Sequence, residues 1–241
     1  MRAVALVLAG GLGSRMGRPK QFIELLGKPA LHHTLRAFQE APGIDRIYTV
    51  GDKERIESLV TSARIGKYAS CAPPGESRSH STRSGLLMCL EDPQTIVLVH
   101  DGSRCLVTPV LIGRVVEAAK ERGVDGVIPT VPVSDTIKVT ENGSVTETLE
   151  RSKLQATQTP QAFRLGLLRR VYDSSDALLA SAPDDASLVE RTGGRVVTVP
   201  GEKTNIKLTS PEDLILAEAI MVSRNGFHPP GRLSWLHGAQ A

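Results

Sequence analysis

The chain has 241 residues, of which 40% are hydrophobic, 23% charged and only 3% aromatic, and its formal net charge is +3. This length suits one large domain with an appendage better than two independent domains. No apolar run approaches the roughly 18 residues that are needed to cross a bilayer. The low aromatic content and small net charge also disfavour nucleic-acid binding. We therefore expect no membrane and no nucleic acid as partner.

The cysteines are Cys71, Cys89 and Cys105, an odd number with no C-x-x-C spacing. This pattern argues against a disulfide framework and against a structural zinc site. A reducing compartment is the simplest explanation, so we expect the protein to be cytoplasmic. Cys105 has no recognisable histidine partner, which disfavours a role as nucleophile.

Strand and helix patterns alternate along the first half of the chain. The continuous apolar run of residues 3–8 is typical of a parallel strand that is buried on both faces. The pattern then predicts a helix at 31–41, a strand at 46–50, helices at 54–63 and 79–90, a strand at 95–99, a helix at 109–122 and a strand at 126–131. This alternation predicts an α/β fold, a Rossmann-like and mostly parallel sheet flanked by helices.

The alternation breaks after residue 133. Segments 136–139 and 145–148 flank Asn142-Gly143, a dipeptide that tolerates the positive φ angles of a type I′ turn. This predicts a protruding β-hairpin arm at about residues 134–159. Because a two-stranded arm is marginally stable alone, it must pack on something, and a second subunit is a reasonable candidate.

Beyond the arm, the pattern predicts helices at 165–179 and 185–191 and a strand at 195–199. A last helix begins near residue 211, with acidic residues in its first turn. Residues 1–222 are therefore expected to form a single domain. Residues 223–241, with two prolines and scattered glycines, are expected to be a loose C-terminal tail.

The glycine-rich segment 9–21, AGGLGSRMGRPKQ, directly follows the first predicted strand. Parallel α/β sheets bind ligands at the carboxyl ends of strands, where glycines let backbone N–H groups approach a phosphate. Arg15 and Lys20 add positive charge, and the segment contains no acid. The glycine spacing fits neither a Walker A loop nor a dinucleotide fingerprint. The segment predicts a phosphate site of another kind, with a solvated glycine-rich turn as the alternative.

Three further segments hold chemically useful side chains. Asp101 comes just past a predicted central strand and lies three residues before Arg104, which suits a metal ion and a phosphate as well as it suits a surface ion pair. The pair Asp184-Asp185 is typical of a helix cap, and Lys207 is equally typical of a solvated lysine. Each of these patterns is weak when it is taken singly.

Together the segments resemble the 2-C-methyl-D-erythritol 4-phosphate cytidylyltransferase family of the non-mevalonate isoprenoid pathway. The resemblance rests on seven blocks in order over about residues 3–222. They are the opening loop, PGESRSHS at 74–81, HDGSR at 100–104, DT at 135–136, TPQAF at 159–163, DDAS at 184–187 and IKLT at 206–209.

The resemblance implies a CTP-dependent nucleotidyltransferase that uses Mg²⁺ and acts on a small sugar- or polyol-phosphate. It implies CTP contacts at Ala9, Gly10, Gly11, Gly13, Gly75 and Ser81. It implies catalytic roles for Arg15 and Lys20, and a metal ligand at Asp101. The acceptor phosphate is implied to contact Arg104, Thr136, Arg151, Thr159, Asp184 and Lys207.

In the family the arm crosses a dimer interface, so we expect a homodimer in which Thr136 and Arg151 serve the other subunit's site. The sequence departs from the family pattern at Gly10, Gly102, Ser103, Cys105 and Pro183. Relatives that use ribitol 5-phosphate or a phosphonate as acceptor are therefore the alternative. The failed dinucleotide fingerprint disfavours a nicotinamide-dependent reductase. The joint presence of the basic and acidic site residues disfavours a silent binding protein.

Overall fold

The computed structural model describes residues 1–11, 13, 17–173, 176–224 and 226. Arg15 and most of the expected C-terminal tail lie outside these residues. No helix in the described part of the chain is long and apolar enough to span a membrane.

The described strands form one eight-stranded sheet and two small two-stranded sheets. In chain order they are β1 (Ala3–Ala9), β2 (Glu24–Leu25), β3 (Lys28–Pro29), β4 (Arg46–Gly51), β5 (Tyr68–Ala72), β6 (Ile96–Asp101), β7 (Gly126–Pro132), β8 (Lys138–Glu141), β9 (Ser144–Thr148), β10 (Gln155–Thr157), β11 (Gln161–Arg164) and β12 (Val196–Pro200). The main sheet has the order β10-β7-β11-β6-β1-β4-β5, and β12 pairs with β7.

The described helices are α1 (Ala30–Glu40), α2 (Lys53–Ala63), α3 (Arg78–Met88), α4 (Pro109–Ala118), α5 (Leu165–Tyr172), α6 (Asp176–Ala180), α7 (Asp185–Arg191) and α8 (Pro211–Arg224). Short 3₁₀ helices span Lys20–Phe22 and Arg151–Lys153. The last helix runs two residues past the expected domain boundary at residue 222.

The central strand β1 is buried on both faces, as its uninterrupted apolar run predicts. Its residues alternate between two cores, because successive side chains of a strand point to opposite faces. Ala3, Ala5 and Val7 pack in a cluster that includes residues of α1, α2 and α4. Val4 and Leu6 pack in a second cluster that includes residues of α3, α5 and α7. The predicted α/β sheet with helices on both faces is confirmed.

The sheet is mainly parallel, with β1, β4, β5 and β6 in parallel pairs. The pattern did not predict β11, which lies antiparallel between β6 and β7. It also missed the short strands β2, β3 and β10. Strands of two to four residues are too short for their periodicity to be recognised.

The predicted hairpin is present as β8 and β9, and all nine of its strand residues are exposed. Asn142 and Gly143 both have positive φ angles, 50° and 81°, as the turn requires. The predicted end of the arm at residue 159 is wrong. Residues Gln155–Thr157 instead form β10, which pairs with β7 in the main sheet. The predicted helix 165–179 is likewise replaced by α5 and α6.

Candidate active site

A cleft of about 600 Å³ opens at the carboxyl ends of β1, β5 and β6. These ends lie along one edge because the strands are parallel, as ligand sites in α/β sheets require. Eight residues that were predicted for the site line this cleft: Gly10, Gly11, Gly13, Lys20, Gly75, Ser81, Asp101 and Lys207.

The glycine wall of the cleft exists because two backbone segments approach each other closely. A Cβ atom on Gly10 would lie 2.4 Å from the Cβ of Pro74, and one on Gly75 would lie 2.5 Å from the Cβ of His80. Neither position has room for a side chain. The backbone N–H of Gly75 donates to the Oγ of Ser81 at 3.1 Å, which fixes the turn against α3.

Gln21 lines the cleft, although it was not among the predicted site residues. Its side-chain amide is buried and donates to the carbonyl oxygens of Ala9, at 2.6 Å, and Gly11, at 3.1 Å. These two bonds tie the glycine loop to the 3₁₀ turn that begins at Lys20. The position of Lys20 beside the loop therefore depends on Gln21. The one sign of this role in the sequence is that Gln21 directly follows Lys20.

Asp101 ends β6 and lies between two cations. Its Oδ1 accepts a hydrogen bond from the Nε of Arg78 at 2.9 Å, and its Oδ2 lies 2.6 Å from the Nζ of Lys207. Arg78 also makes an ion pair with Asp185, at 2.8 Å. Arg78 and Asp185 lie in two of the motif blocks, at 74–81 and 184–187, but neither was among the predicted site residues, because the sequence does not show that they meet.

The charges around Asp101 determine its ionisation. Burial alone raises the pKa of this carboxyl, but the positive charges of Arg78 and Lys207 outweigh burial and hold the pKa well below its ordinary value. Asp101 is therefore an anion at neutral pH. It suits the role of a fixed negative ligand and not that of a proton donor.

The donor set of the cleft suits Mg²⁺ that arrives with a nucleotide. Mg²⁺ is commonly bound by one or two carboxylates together with substrate phosphates. Asp101 is such a carboxylate. In the described ranges no group of three or more His, Cys, Asp or Glu side chains forms an independent metal site.

A buried hydrogen-bond network holds the backbone of Asp101. The Thr159 hydroxyl accepts the backbone N–H of Asp101 and lies 3.1 Å from the Nδ1 of His100. The His100 Nε2 lies 3.2 Å from the carbonyl oxygen of Arg104, which can only accept. We therefore assign the proton to Nε2, so that Nδ1 accepts from Thr159. Burial lowers the pKa of His100 to about 3, and the imidazole is neutral.

Arg104 connects three segments at the edge of the cleft. Its guanidinium donates to the carbonyl oxygen of Asn205 at 2.8 Å and to that of Thr157 at 3.4 Å. Asn205 in turn donates to the carbonyl oxygen of Thr159 at 2.9 Å. These bonds place Lys207 beside β6, although the two segments are distant in the sequence.

The remaining predicted acceptor residues do not line the cleft of their own chain. Asp184 caps α7 by accepting the N–H of Ser187 at 2.9 Å, and it accepts from the amide of Gln161 at 2.8 Å. The helix-cap alternative for Asp184 is therefore the arrangement in the structure. Thr136 and Arg151 are exposed on the arm. Their roles toward the acceptor stay predictions, and the predicted role of Arg15 falls outside the described residues.

Cys71, Cys89 and Cys105 are buried free thiols. Burial raises the pKa of Cys105 to about 12, so its thiol is protonated at neutral pH. A nucleophilic role for Cys105 is disfavoured by this environment, in agreement with its lack of a histidine partner in the sequence.

Comparison with known protein families identifies a match over most of the chain. The profile of the 2-C-methyl-D-erythritol 4-phosphate cytidylyltransferase family matches residues 3–223. A protein of that name from Rubrobacter xylanophilus is 67% identical over 222 residues, which cover 92% of this chain and 96% of the relative. The protein of the same name from Bacillus velezensis is 43% identical over 234 residues, or 95% and 99% of the two chains.

Solved structures agree with this match. The crystal structure of 2-C-methyl-D-erythritol 4-phosphate cytidylyltransferase from Thermus thermophilus has a TM-score of 0.74 and 30% identity, and the alignment covers 91% of this chain and 98% of that one. The 4-diphosphocytidyl-2C-methyl-D-erythritol synthase from Anaerococcus prevotii has a TM-score of 0.76 and 30% identity, with 91% and 96% covered.

Proposed function

Because the chain belongs to the 2-C-methyl-D-erythritol 4-phosphate cytidylyltransferase family, we propose that the Asp101 cleft transfers the cytidylyl group of CTP to 2-C-methyl-D-erythritol 4-phosphate. A phosphate oxygen of the acceptor attacks the α-phosphorus of CTP in line. The new oxygen–phosphorus bond forms as the bond between the α-phosphorus and the departing pyrophosphate breaks. The products are 4-diphosphocytidyl-2-C-methyl-D-erythritol and pyrophosphate.

The observation that best supports this function is the convergence of Lys20, Lys207 and Asp101 in one glycine-walled cleft. The attacking phosphate is already an anion, so the reaction needs no general base. The main barrier is the approach of two anions and the growth of charge on the leaving group. Fixed positive charges and correct positioning lower that barrier, and both lysines supply such charge.

The nucleotide half of the cleft suits a flat base and a polyphosphate. At Gly10 and Gly75 the absence of a side chain lets the two backbone segments pack closely, which keeps their backbone groups at the wall of the cleft. Backbone groups of residues 9–13 and the Ser81 turn would then contact the cytosine and ribose, and Lys20 would contact the triphosphate. Arg15 belongs to the same loop in the sequence, and we assign it the same triphosphate role.

We assign Mg²⁺ to Asp101 and the phosphate oxygens of CTP. Bound there, the ion would supply positive charge against the charge that develops on the triphosphate. Lys207 pairs with Asp101 in the structure at 2.6 Å. Mg²⁺ on Asp101 would weaken that pair, and Lys207 would then be available to bind the acceptor phosphate beside Arg104.

The arm supports a homodimer with shared sites. The arm carries Ile137, Val139 and Val145, which are 36%, 38% and 60% exposed. A second subunit would cover them and would receive Thr136 and Arg151 at its cleft. Sedimentation velocity tests this directly, and a monomer at assay concentrations would contradict the shared site.

The function is tested by pyrophosphate release from CTP and Mg²⁺, with 2-C-methyl-D-erythritol 4-phosphate and ribitol 5-phosphate in parallel reactions. We expect release with the first acceptor and none above background with the second. Release with ribitol 5-phosphate alone would keep the cytidylyl transfer and change the acceptor. Absence of release with both would reject the proposed reaction. ATP, GTP and UTP in place of CTP test the nucleotide.

A further inference from the structure

Asp185 is a fully buried carboxylate that the proposed reaction does not use directly. It begins α7 and does not line the cleft. Burying an ionised carboxylate is costly unless its charge is paired and its oxygens are hydrogen-bonded. Here one oxygen accepts the hydroxyl of Tyr172, and the other makes an ion pair with the Nη2 of Arg78 at 2.8 Å, without the geometry of a hydrogen bond. Of these two contacts, the one with Arg78 leads to the cleft, because Arg78 also contacts Asp101.

Arg78 connects the buried acid to the acid in the cleft. Its Nη2 pairs with Asp185, and its Nε donates to the Oδ1 of Asp101 at 2.9 Å. The guanidinium is planar and rigid, so its attraction to Asp185 restricts its rotation and favours the Nε contact with Asp101. Burial alone would lower the pKa of Arg78, but the charges of Asp185 and Asp101 raise it well above its ordinary value.

Four charged side chains are connected by ion pairs in the order Asp185, Arg78, Asp101 and Lys207, so two negative charges balance two positive ones. The two ends of this series differ in exposure. Asp185 is completely buried, whereas the side chain of Lys207 is 35% exposed at the other end. Arg78 is held by a second ion pair with the buried Asp185, so we expect Lys207 to leave Asp101 with less structural change than Arg78 would. Loss of the Asp185 charge would leave Arg78 with surplus positive charge and free to rotate toward both oxygens of Asp101.

We propose that Asp185 is a positioning residue for cytidylyl transfer. It orients the Arg78 guanidinium, which holds one oxygen of Asp101 and leaves the second oxygen at the cleft for an exchangeable cation. The proposal rests on the proposed function of the cleft, and it assigns Asp184 and Asp185 different tasks. Asp184 caps α7, whereas Asp185 orients a residue of α3.

A double-mutant cycle distinguishes this role from a merely structural one. The variants are Asp185→Asn, Arg78→Gln and the double variant, all measured at saturating CTP and acceptor and corrected for the folded fraction. If Asp185 acts through Arg78, its substitution has no further effect once Arg78 is changed. We expect Asp185→Asn to lower kcat by about tenfold or more, and the double variant to match Arg78→Gln within about twofold.

The nucleotide supplies a second readout. The glycine loop that we assign to the cytosine and ribose does not contact Asp185, so the Kd for CTP without Mg²⁺ should stay within about threefold of the unchanged protein in Asp185→Asn. The gain in CTP affinity on addition of Mg²⁺ should shrink in this variant, because Asp101 is assigned to that ion. Leu188→Ala is the matched control, because it removes a buried side chain of the same helix that packs in the core. It should lower the melting temperature and leave kcat per folded enzyme unchanged.

Multiplicative losses in the double variant, or an unchanged kcat in folded Asp185→Asn, would overturn the proposal. An equal loss of kcat in Leu188→Ala would also overturn it, since disturbance of α7 would then explain the effect. If Asp185→Asn does not fold, the double variant is used instead, because it removes both members of the buried ion pair. Its kcat is compared with that of Arg78→Gln, and a difference of more than about twofold would overturn the proposal. Absence of transfer by the unchanged protein would instead reject the proposed function itself.

Discussion

The hydroxyl oxygen of Thr159 lies 3.1 Å from the backbone nitrogen of Asp101, a residue 58 positions earlier in the chain. The same hydroxyl lies 3.1 Å from the Nδ1 of His100. One buried threonine thus accepts from the strand that presents Asp101 and donates to the histidine beneath it. Its single O–H is used within the fold, and Thr159 supports the site through the backbone of Asp101.

Replacing Thr159 with valine keeps the shape and removes the hydroxyl. We expect the free energy of unfolding to fall by about 1–3 kcal/mol, because a buried N–H and a buried imidazole nitrogen lose their partner. Thr159→Ser retains the hydroxyl and is the control. We expect its free energy of unfolding to fall by less than half as much as that of Thr159→Val. Chemical denaturation measures both variants. Equal stability of Thr159→Val and the unchanged protein would contradict the assigned network.

Replacing Lys20 with alanine tests the charge that we assign to the triphosphate. We expect kcat to fall on the order of 10²–10³-fold with the fold retained, by analogy with removal of one preorganised donor from an anionic transition state. Lys53→Ala, at an exposed lysine of α2, removes the same charge away from the cleft and should leave turnover unchanged. Steady-state kinetics and circular dichroism check both variants, and near-normal turnover in Lys20→Ala would exclude the role.

The buried His100 predicts a specific dependence of stability on pH. Its pKa is about 3 in the folded protein because of burial, against an ordinary value of 6.5. Between these values the unfolded chain binds a proton that the folded chain does not, so stability falls as the pH is lowered below 6.5. His100 alone should lower the free energy of unfolding by about 2 kcal/mol at pH 5 relative to pH 7.

His100→Gln removes this titration. The difference in unfolding free energy between pH 7 and pH 5 should therefore be smaller in the variant than in the unchanged protein, whatever its absolute stability. Urea denaturation at the two pH values measures the difference. The same pH dependence in both proteins would show that His100 is not held neutral by the fold.

Sharing of sites across a homodimer is tested by mixing two inactive variants. Lys20→Ala damages the cleft of its own chain, and Arg151→Ala damages the site that the arm reaches. In a mixed dimer one cleft keeps its own Lys20 and receives an intact arm. Random reassortment should therefore restore about a quarter of the activity, since half of the dimers regain one of two sites. If the mixture is no more active than the two variants measured separately, the shared site is contradicted. Arg151 would then act in the site of its own chain or in no site.

Local patterns in the sequence determined the framework of this protein. The apolar run of β1, the Asn142-Gly143 turn and the ordered motif blocks each need only a few neighbouring residues to be recognised. They predicted the α/β class, the hairpin and the residues Gly10, Gly75, Lys20, Asp101 and Lys207, which the fold brings to one cleft. Parallel strands end at a common edge, so this convergence follows from the predicted topology.

The tertiary structure alone decided which charges meet inside that cleft. Arg78 reaches Asp101 and Asp185 across separations of 23 and 107 positions, and no periodicity or motif spacing encodes such pairs. The antiparallel β11 is equally invisible in the sequence, because a four-residue strand is stabilised by its pairing with β6 and β7 and not by its own pattern. Ion pairing and strand pairing depend on distances in space, which the packed core determines only once the chain has folded.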